Sequence, residues 1–402
     1  MRLAALGALL LAVYAATLTI PATAREDHTG DEVHYLLGAR SWAEDGDLDL
    51  ANQYAGRQWR EFTRAEPATS GTLVLGRLRE PQGVGMPLAI SPAYALGGAD
   101  LVELAIAALV ALAFVLAAAL ARRVVPEPWA SGVVLVAGLS PPALAAATTI
   151  APEPVAAALI AGASLCAVKV RESARLRHVY AGAVMLALLP WLDPALAIAG
   201  LPAAVCIVRW SALEGRRLLA LITAELMLGS LVFYARLNET LFGGPLPSAA
   251  AASPAPGAGE IAERAPNLLG LWVDPSAGLL RWAPVLALAF VGAWLLARSR
   301  RERVAAAIPA RREAERVAGL LVATGAAQWL VAAFARDDPA GWWFPGLPMF
   351  AAVPVLAALA AWGMRHARVA GAVLAALTLV LSAWVLGDAW TGPAEGWLGA
   401  AR

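Results

Sequence analysis

Apolar runs of about 20 residues, separated by short polar segments, recur along most of the chain. Each run is long enough to cross a bilayer as an α-helix, and the alternation of polar and apolar residues that builds membrane barrels is absent. We therefore predict an all-α, polytopic transmembrane fold that forms one domain over residues 1–402. The pattern predicts about eleven spans, at residues 3–20, 100–121, 130–150, 153–170, 178–190, 195–208, 218–236, 278–297, 317–335, 347–363 and 369–387.

Composition agrees with a membrane protein whose main partner is the lipid bilayer. Hydrophobic residues make up 60% of the chain and charged residues 15%, and the mean hydropathy is +0.64. The net charge is only +1, and no basic tract is interleaved with aromatics, so nucleic acid is not an expected partner. Cys166 and Cys206 lie in apolar runs, which favours core packing over a disulfide.

Basic residues indicate the orientation. If the N-terminus is cytoplasmic, most of the 31 Lys and Arg residues fall in inner loops. The short outer loops then hold only Arg236, Arg264 and Arg336. The positive-inside rule therefore predicts a multi-pass protein of the inner (plasma) membrane, with residues 21–98 as one long outer loop.

Two segments leave alternatives. The stretch 178–208 is short for two spans, but as a single span it would put the arginine-rich segment 298–316 outside. We therefore favour a hairpin whose turn, Pro190 to Pro194, lies below the outer surface, where a carboxylate such as Asp193 needs protein or water around it. The triplet Ala22 to Ala24 is a possible signal-peptidase site, although the preceding run is long for a cleaved signal; either way the next loop faces outward.

An acidic stretch, GDEVHYLLGARSWAEDGDLDL (residues 30–50), follows the first apolar run. Its spacing predicts a short juxtamembrane helix from Asp31 to Asp45, lying in the interface plane with Trp42 at headgroup level. Asp31 and His34 are one turn apart and can face one cavity. Alternatively, Asp31 and Glu32 only favour the helix N-terminus.

The aspartates at the end of this stretch resemble the start of a calcium loop, because Asp45, Asp47 and Asp49 alternate. A calcium loop needs Gly and Glu where this chain has Leu50 and Gly56. We interpret the segment as a solvated loop.

The acidic stretch resembles the first outer loop of bacterial membrane glycosyltransferases of the C-type (GT-C) superfamily, kin of protein mannosyltransferases and lipid A aminoarabinose transferases. Four further segments agree in order: GVGMPLAISPAYALGG (83–98), APEPV (151–155), NETLFGGPLPSA (238–249) and GWWFPGLPMFAAVPVLAAL (341–359). The resemblance implies inverting transfer of a sugar from a polyprenyl-phosphate donor to a glycan, lipid or protein acceptor on the outer face.

The resemblance also implies roles for individual residues. Asp31 would be the general base that takes the acceptor proton, with Glu32 beside it and Glu153 as a second acidic residue at the head of the fourth span. The expected substrate-binding residues are His34, Arg40, Gln82, Asp193, Arg236, Arg281 and Arg336. The last three arginines lie at outer helix ends, where a lipid phosphate would be; snorkelling or loop ion pairs are the alternative. No cofactor is firmly implied, and a divalent metal remains open.

Departures from the family pattern keep other functions in view. Relatives often carry a basic residue or histidine at the position of Gln82, and a basic residue where this chain has Leu347 and Pro348. A non-catalytic scaffold with the same fold is therefore an alternative. A transporter would need polar residues through the spans, and the candidates are Glu103, Glu225 and Gln328.

Overall fold

The structure, a computed structural model, describes residues 1–23, 26–173, 175–213, 215–251, 258–302, 309–335, 344–391 and 396–401. Within these ranges the helices, α1 to α18 in chain order, are Leu3–Thr17, Asp31–Glu44, Ala51–Ala55, Gly85–Ala121, Trp129–Gly138, Pro141–Ala146, Pro152–Ser173, Leu176–Leu192, Pro194–Leu213, Arg217–Phe242, Ala258–Glu263, Asn267–Val273, Leu279–Trp282, Leu288–Glu302, Pro309–Phe334, Val353–His366, Arg368–Thr391 and Trp397–Ala400. Two short strands, β1 (Thr72–Val74) and β2 (Arg77–Arg79), pair antiparallel.

The predicted helical membrane fold is confirmed. Seven of the described segments are long and apolar enough to cross a membrane, and they contain α4, α7, α9, α10, α15, α16 and α17. Three shorter apolar helices, α1, α5 and α8, coincide with further predicted spans. Every predicted span overlaps at least one helix, while the count of eleven stays a prediction.

Burial separates central from peripheral helices. In α7 and in the segment that contains α16, 83% of the most apolar 18-residue stretch is buried inside the protein. The corresponding share is 17% for the segment that contains α10 and 22% for α17. Glycine brings the central helices close together: a Cβ on Gly363 of α16 would lie 2.1 Å from the carbonyl oxygen of Leu288 at the start of α14. Small residues at helix contacts allow such backbone approach in membrane proteins.

Prolines and glycines break several predicted spans. The span 130–150 is divided between α5 and α6, because Pro141 and Pro142 begin a new helix after Ser140. Helix α4 begins at Gly85, well before the predicted 100–121, and bends at Gly97 and Gly98, whose backbone is not helical. The outer loop therefore feeds directly into a membrane helix.

The segment 178–208 forms two helices, α8 and α9, that pack against each other. Only Asp193, in extended conformation, separates them, because Pro190 stays inside α8 rather than in the turn. The Asp193 carboxylate accepts the backbone N–H of Ala195 at 2.7 Å and so caps α9.

The predicted juxtamembrane helix exists as α2, one residue shorter than expected. Gly30, with φ of +55°, precedes it and lets the chain turn into the helix. Residues Glu32 to Ala39 are all buried, so protein encloses the first half of α2. Helix α2 packs on α4, where Gly38 faces the ring of Pro87.

The β-hairpin was not expected from the sequence. Its turn residues Leu75 and Gly76 both have positive φ, which matches the tight turn of a two-residue hairpin. Gly71, just before β1, forms an isolated bridge with Ala251. The hairpin therefore ties the first outer loop to the segment that follows α10.

Candidate active site

A cleft of about 680 Å³ opens beside the N-terminus of α2. Asp31 and His34, one turn apart on this helix, both lie on its wall, together with His28, Glu66 and Ser70. No lysine or arginine occurs among the lining residues that the structure describes. The described wall is therefore rich in carboxylate and imidazole groups.

The half-buried carboxylate of Asp31 is held by an amide. Nε2 of Gln82 donates to Oδ1 of Asp31 at 2.9 Å and lies 3.5 Å from Oγ of Ser70. Within the described part of the chain this is the only hydrogen bond of the Asp31 side chain. The second oxygen, Oδ2, is thus available to a molecule in the cleft.

A second group of polar side chains fixes His34. The Tyr54 hydroxyl donates to Oε1 of Glu80 at 3.0 Å and lies 2.9 Å from Nδ1 of His34. Burial and then the Glu80 charge raise the pKa of Tyr54. Tyr54 therefore stays neutral and donates a hydrogen bond to Glu80, so its oxygen accepts one from Nδ1 of His34. Oε2 of Glu80 accepts the backbone N–H of Ser70 at 3.2 Å, so the chain of contacts continues to Gln82 and Asp31.

Glu32 does not line this cleft but a small neighbouring cavity, and it connects two parts of the chain. Its carboxylate accepts the backbone N–H groups of Thr29 and Ile150, each at 2.9 Å. The first bond closes the start of α2, and the second fastens it to the segment before α7. Burial raises the pKa of Glu32 to about 7, although His28 and these two bonds favour the ionised form.

His28 is a site residue that the sequence did not reveal. Its Nε2 lies 2.9 Å from Oε1 of Glu103, and its Nδ1 lies 3.4 Å from the carbonyl oxygen of Phe62. Burial lowers the pKa of His28, but the hydrogen bond to Glu103 and the charges of Glu32 and Glu103 outweigh it, and the pKa rises to about 9. His28 is therefore a cation at neutral pH.

Other expected carboxylates lie elsewhere. Glu153 is the second residue of α7 and is 4% exposed, and it is not among the residues that line the cleft. It follows Ile150 closely, so Glu32 contacts the segment that leads to it. Asp193 caps α9 and also does not line the cleft.

Three of the arginines that were expected to bind substrate, Arg40, Arg236 and Arg281, have local partners. Arg40 pairs with Glu44 and Glu61, and none of the described arginines lines the cleft. Arg236 pairs with Glu239 at 2.7 Å on the same helix.

Arg281 bonds the carbonyl oxygen of Pro275 and lies 4.7 Å from the ring centre of Trp282. Arg336 falls outside the described residues. Phosphate binding by these arginines stays a prediction.

The last described segment of the chain completes the wall. Leu398 lines the cleft, because the backbone N–H groups of Trp397 and Leu398 donate to the carbonyl oxygens of Pro21 and Ala22 at 3.0 and 2.9 Å. No sequence signal pointed to this contact. Among the described residues, no group of three or more His, Cys, Asp or Glu side chains is placed to hold a metal ion.

No protein-family model and no curated protein sequence matches the chain. Solved structures do match its fold. Crystal structures of ArnT from Cupriavidus metallidurans superpose with a TM-score of 0.59 in the apo state (16% identity, 98% of this chain and 65% of ArnT) and 0.57 when bound to undecaprenyl phosphate (15% identity, 96% and 64%). The Archaeoglobus fulgidus oligosaccharyltransferase complex with Zn and sulfate superposes with a TM-score of 0.53 (14% identity, 97% of this chain and 53% of that protein).

The chain has the GT-C fold of membrane glycosyltransferases, as its resemblance predicted. It is a multi-pass membrane protein that spans slightly less than two thirds of the length of ArnT. At these identities the likeness shows the fold alone.

Proposed function

We propose that this protein is an inverting membrane glycosyltransferase that moves a sugar from a polyprenyl-phosphate carrier to an acceptor hydroxyl in the cleft beside α2. The observation that carries the proposal is the position of Asp31 on the cleft wall, with Oδ1 bound to Gln82 and Oδ2 left for an acceptor. ArnT, which shares the fold, binds undecaprenyl phosphate. A polyprenyl-phosphate donor is consistent with that similarity.

The proposed reaction is a single displacement. The acceptor oxygen attacks the anomeric carbon from the face opposite the leaving group, and the bond between that carbon and the carrier phosphate oxygen breaks. Oδ2 of Asp31 takes the acceptor proton, and the polyprenyl phosphate leaves with the bonding electron pair. A base within hydrogen-bond reach of the attacking hydroxyl contributes about 10²- to 10⁴-fold to the rate.

Burial and hydrogen bonding favour Asp31 over Glu32 and Glu153 as the general base. Both oxygens of Glu32 are occupied by backbone N–H groups, so this carboxylate supports the site rather than meeting a substrate. Glu153 is buried off the cleft wall. His28, protonated at neutral pH, supplies positive charge to the described wall, where arginine and lysine are missing.

The test is sugar transfer by the purified protein with a panel of polyprenyl-phosphate sugars, read as release of polyprenyl phosphate. Asp31→Asn keeps the size and the bond to Gln82 but cannot accept a proton, so its rate should fall by about 10²- to 10⁴-fold. Asp100→Asn is the matched control, because Asp100 is an exposed aspartate on α4, and it should keep the wild-type rate. Wild-type activity in Asp31→Asn would remove Asp31 from the mechanism.

A non-catalytic scaffold is the second candidate. It is favoured by the absence of lysine and arginine from the described cleft wall and by the burial of Leu347 in the core, at a position where the family resemblance leads us to expect a basic residue. Failure of the wild-type protein to consume any donor, with intact folding, would support this function.

The transporter alternative has less support, because two of its three polar residues bond other groups of the protein and the third is exposed. Glu103 contacts His28, Gln328 donates to the Pro348 carbonyl oxygen, and Glu225 lies on the exposed side of α10.

A further inference from the structure

A second cleft, of about 780 Å³, lies at the opposite end of the helical bundle. Helix α7 begins beside the acidic site and ends here at Ser173; its 22 residues span about 33 Å at about 1.5 Å per residue, close to the thickness of a bilayer core. The cleft is bounded by the end of α7 and the starts of α8 and α10. It is therefore at the level of the lipid headgroups in the leaflet away from the proposed active site.

Three arginines give this cleft a basic lining. Arg175, Arg177 and Arg216 line it, and no acidic side chain occurs among its described lining residues. Arg175 and Arg177 form no ion pair with a carboxylate of the described chain.

Nearby carboxylates are already paired. Glu172 bonds Arg123, and Glu313 bonds Arg171 and Arg316. The charge of the cleft is therefore not neutralised by these two acidic neighbours.

The rest of the cleft is apolar and continues along the outside of the bundle. Leu218, Leu219 and Ile222 of α10 line it, and Leu218 is 72% exposed. Further along the same helix, Leu221 and Leu226 are also exposed. A small anion would use only the arginines, whereas a molecule with a charged head and a hydrocarbon chain would use both parts.

We infer that this cleft binds an anionic phospholipid, with its phosphate against Arg175, Arg177 and Arg216 and an acyl chain on the apolar side of α10. Basic pockets between membrane helices recognise anionic headgroups in this way. The site is separate from the proposed sugar-transfer site and does not depend on that function.

Native mass spectrometry of the purified full chain, with phosphatidylglycerol or phosphatidylcholine of matched acyl chains, tests the inference. Arg175 and Arg177, two cations near a membrane surface, correspond to a preference of about 30-fold for phosphatidylglycerol in the wild-type protein. The triple variant Arg175→Gln, Arg177→Gln, Arg216→Gln should lose most of this preference. The matched control is Arg300→Gln, Arg301→Gln, Arg368→Gln, which removes three exposed arginines outside the cleft and should keep it.

Three outcomes would overturn the inference. Wild-type protein without a preference shows no site, and equal losses in the two triple variants show diffuse surface charge. Displacement of phosphatidylglycerol by millimolar inorganic phosphate, with phosphate bound in its place, shows a free-anion site. If the triple variant does not elute as a folded protein, the single variants Arg175→Gln and Arg177→Gln replace it, each with an expected loss of about fivefold.

Discussion

The imidazole of His28, in the outer loop, lies 2.9 Å from the carboxylate of Glu103, a residue 75 positions later in a membrane helix. This contact places a protonated histidine on the wall of the cleft that contains Asp31. It also accounts for a carboxylate within α4, because an acidic residue in a span requires a partner. Glu103 is therefore the counter-ion of His28 in the outer loop.

The pH dependence of stability should report this contact. The folded-state pKa of His28 is about 9, above its ordinary value of 6.5, so the folded protein binds this proton more tightly. The stabilisation is fully present below pH 6.5 and is lost as pH rises through 9. Thermal unfolding in detergent should therefore show a fall in Tm between pH 6.5 and 9 that is reduced in His28→Gln. An unchanged pH profile in the variant would show that His28 does not titrate in this range.

Removal of the Gln82 amide should slow sugar transfer without unfolding the protein. Gln82→Ala leaves Asp31 without its hydrogen bond, and a bond to a charged group is worth about 1.5–3 kcal/mol, so kcat should fall by about tenfold or more. Asn52→Ala is the control, since it removes a hydrogen bond that a side-chain amide donates to the exposed Asp45 carboxylate, away from the cleft. Equal activity of the two variants would mean that Gln82 does not position Asp31.

Asp31 and Glu32 should divide catalysis and stability between them. Glu32→Ala leaves the buried N–H group of Ile150 without its acceptor, at a cost of about 1–3 kcal/mol, and also removes the bond to the backbone N–H of Thr29. Asp31→Asn, which keeps the size of the side chain and its bond to Gln82, should change stability by less than about 1 kcal/mol, yet slow transfer by about 10²- to 10⁴-fold. Chemical unfolding in detergent micelles measures the free energy of unfolding of both variants. Similar losses of stability in the two variants would show that Asp31 and Glu32 do not have separate roles.

Gly85 should tolerate no side chain. A Cβ at this position would lie 1.8 Å from the carbonyl oxygen of Trp191, so Gly85→Ala must push α4 away from α8, and overpacking costs about 1–3 kcal/mol. Gly132→Ala is the matched control, because no atom lies within 4 Å of the added Cβ and alanine favours a helix by about 0.5–1 kcal/mol. Equal Tm values for the two variants would exclude the close contact.

The orientation remains a prediction from the arginine distribution. In a background with Cys166 and Cys206 replaced by alanine, a membrane-impermeant maleimide should label Thr69→Cys in right-side-out vesicles. It should label Ser173→Cys only after permeabilisation, because these two exposed positions lie at opposite ends of the bundle. The reverse pattern would invert the topology and place the proposed active site in the cytoplasm.

The helical membrane fold and the start of α2 could be predicted because their signals are local. Run length sets whether a helix can span, and the glycine and acidic residues at Gly30 to Glu32 mark a helix start within a few positions. The proximity of Asp31 and His34 on one cleft wall also follows from helical spacing. By contrast, the pattern could not tell whether Arg236 would meet a phosphate or a neighbouring glutamate, since both need only an arginine at a helix end.

The sequence by itself determined that this protein has an all-helical membrane fold with an acidic juxtamembrane helix, and its resemblance predicted the GT-C fold. Only the tertiary structure decided which groups surround Asp31. Ile150 reaches Glu32 across 118 positions, Leu398 reaches the cleft through backbone bonds to residues 21 and 22, and Glu103 reaches His28 from a helix that bends at Gly97 and Gly98. Such contacts depend on helix packing and kink direction, which no local pattern of hydrophobic and polar residues specifies.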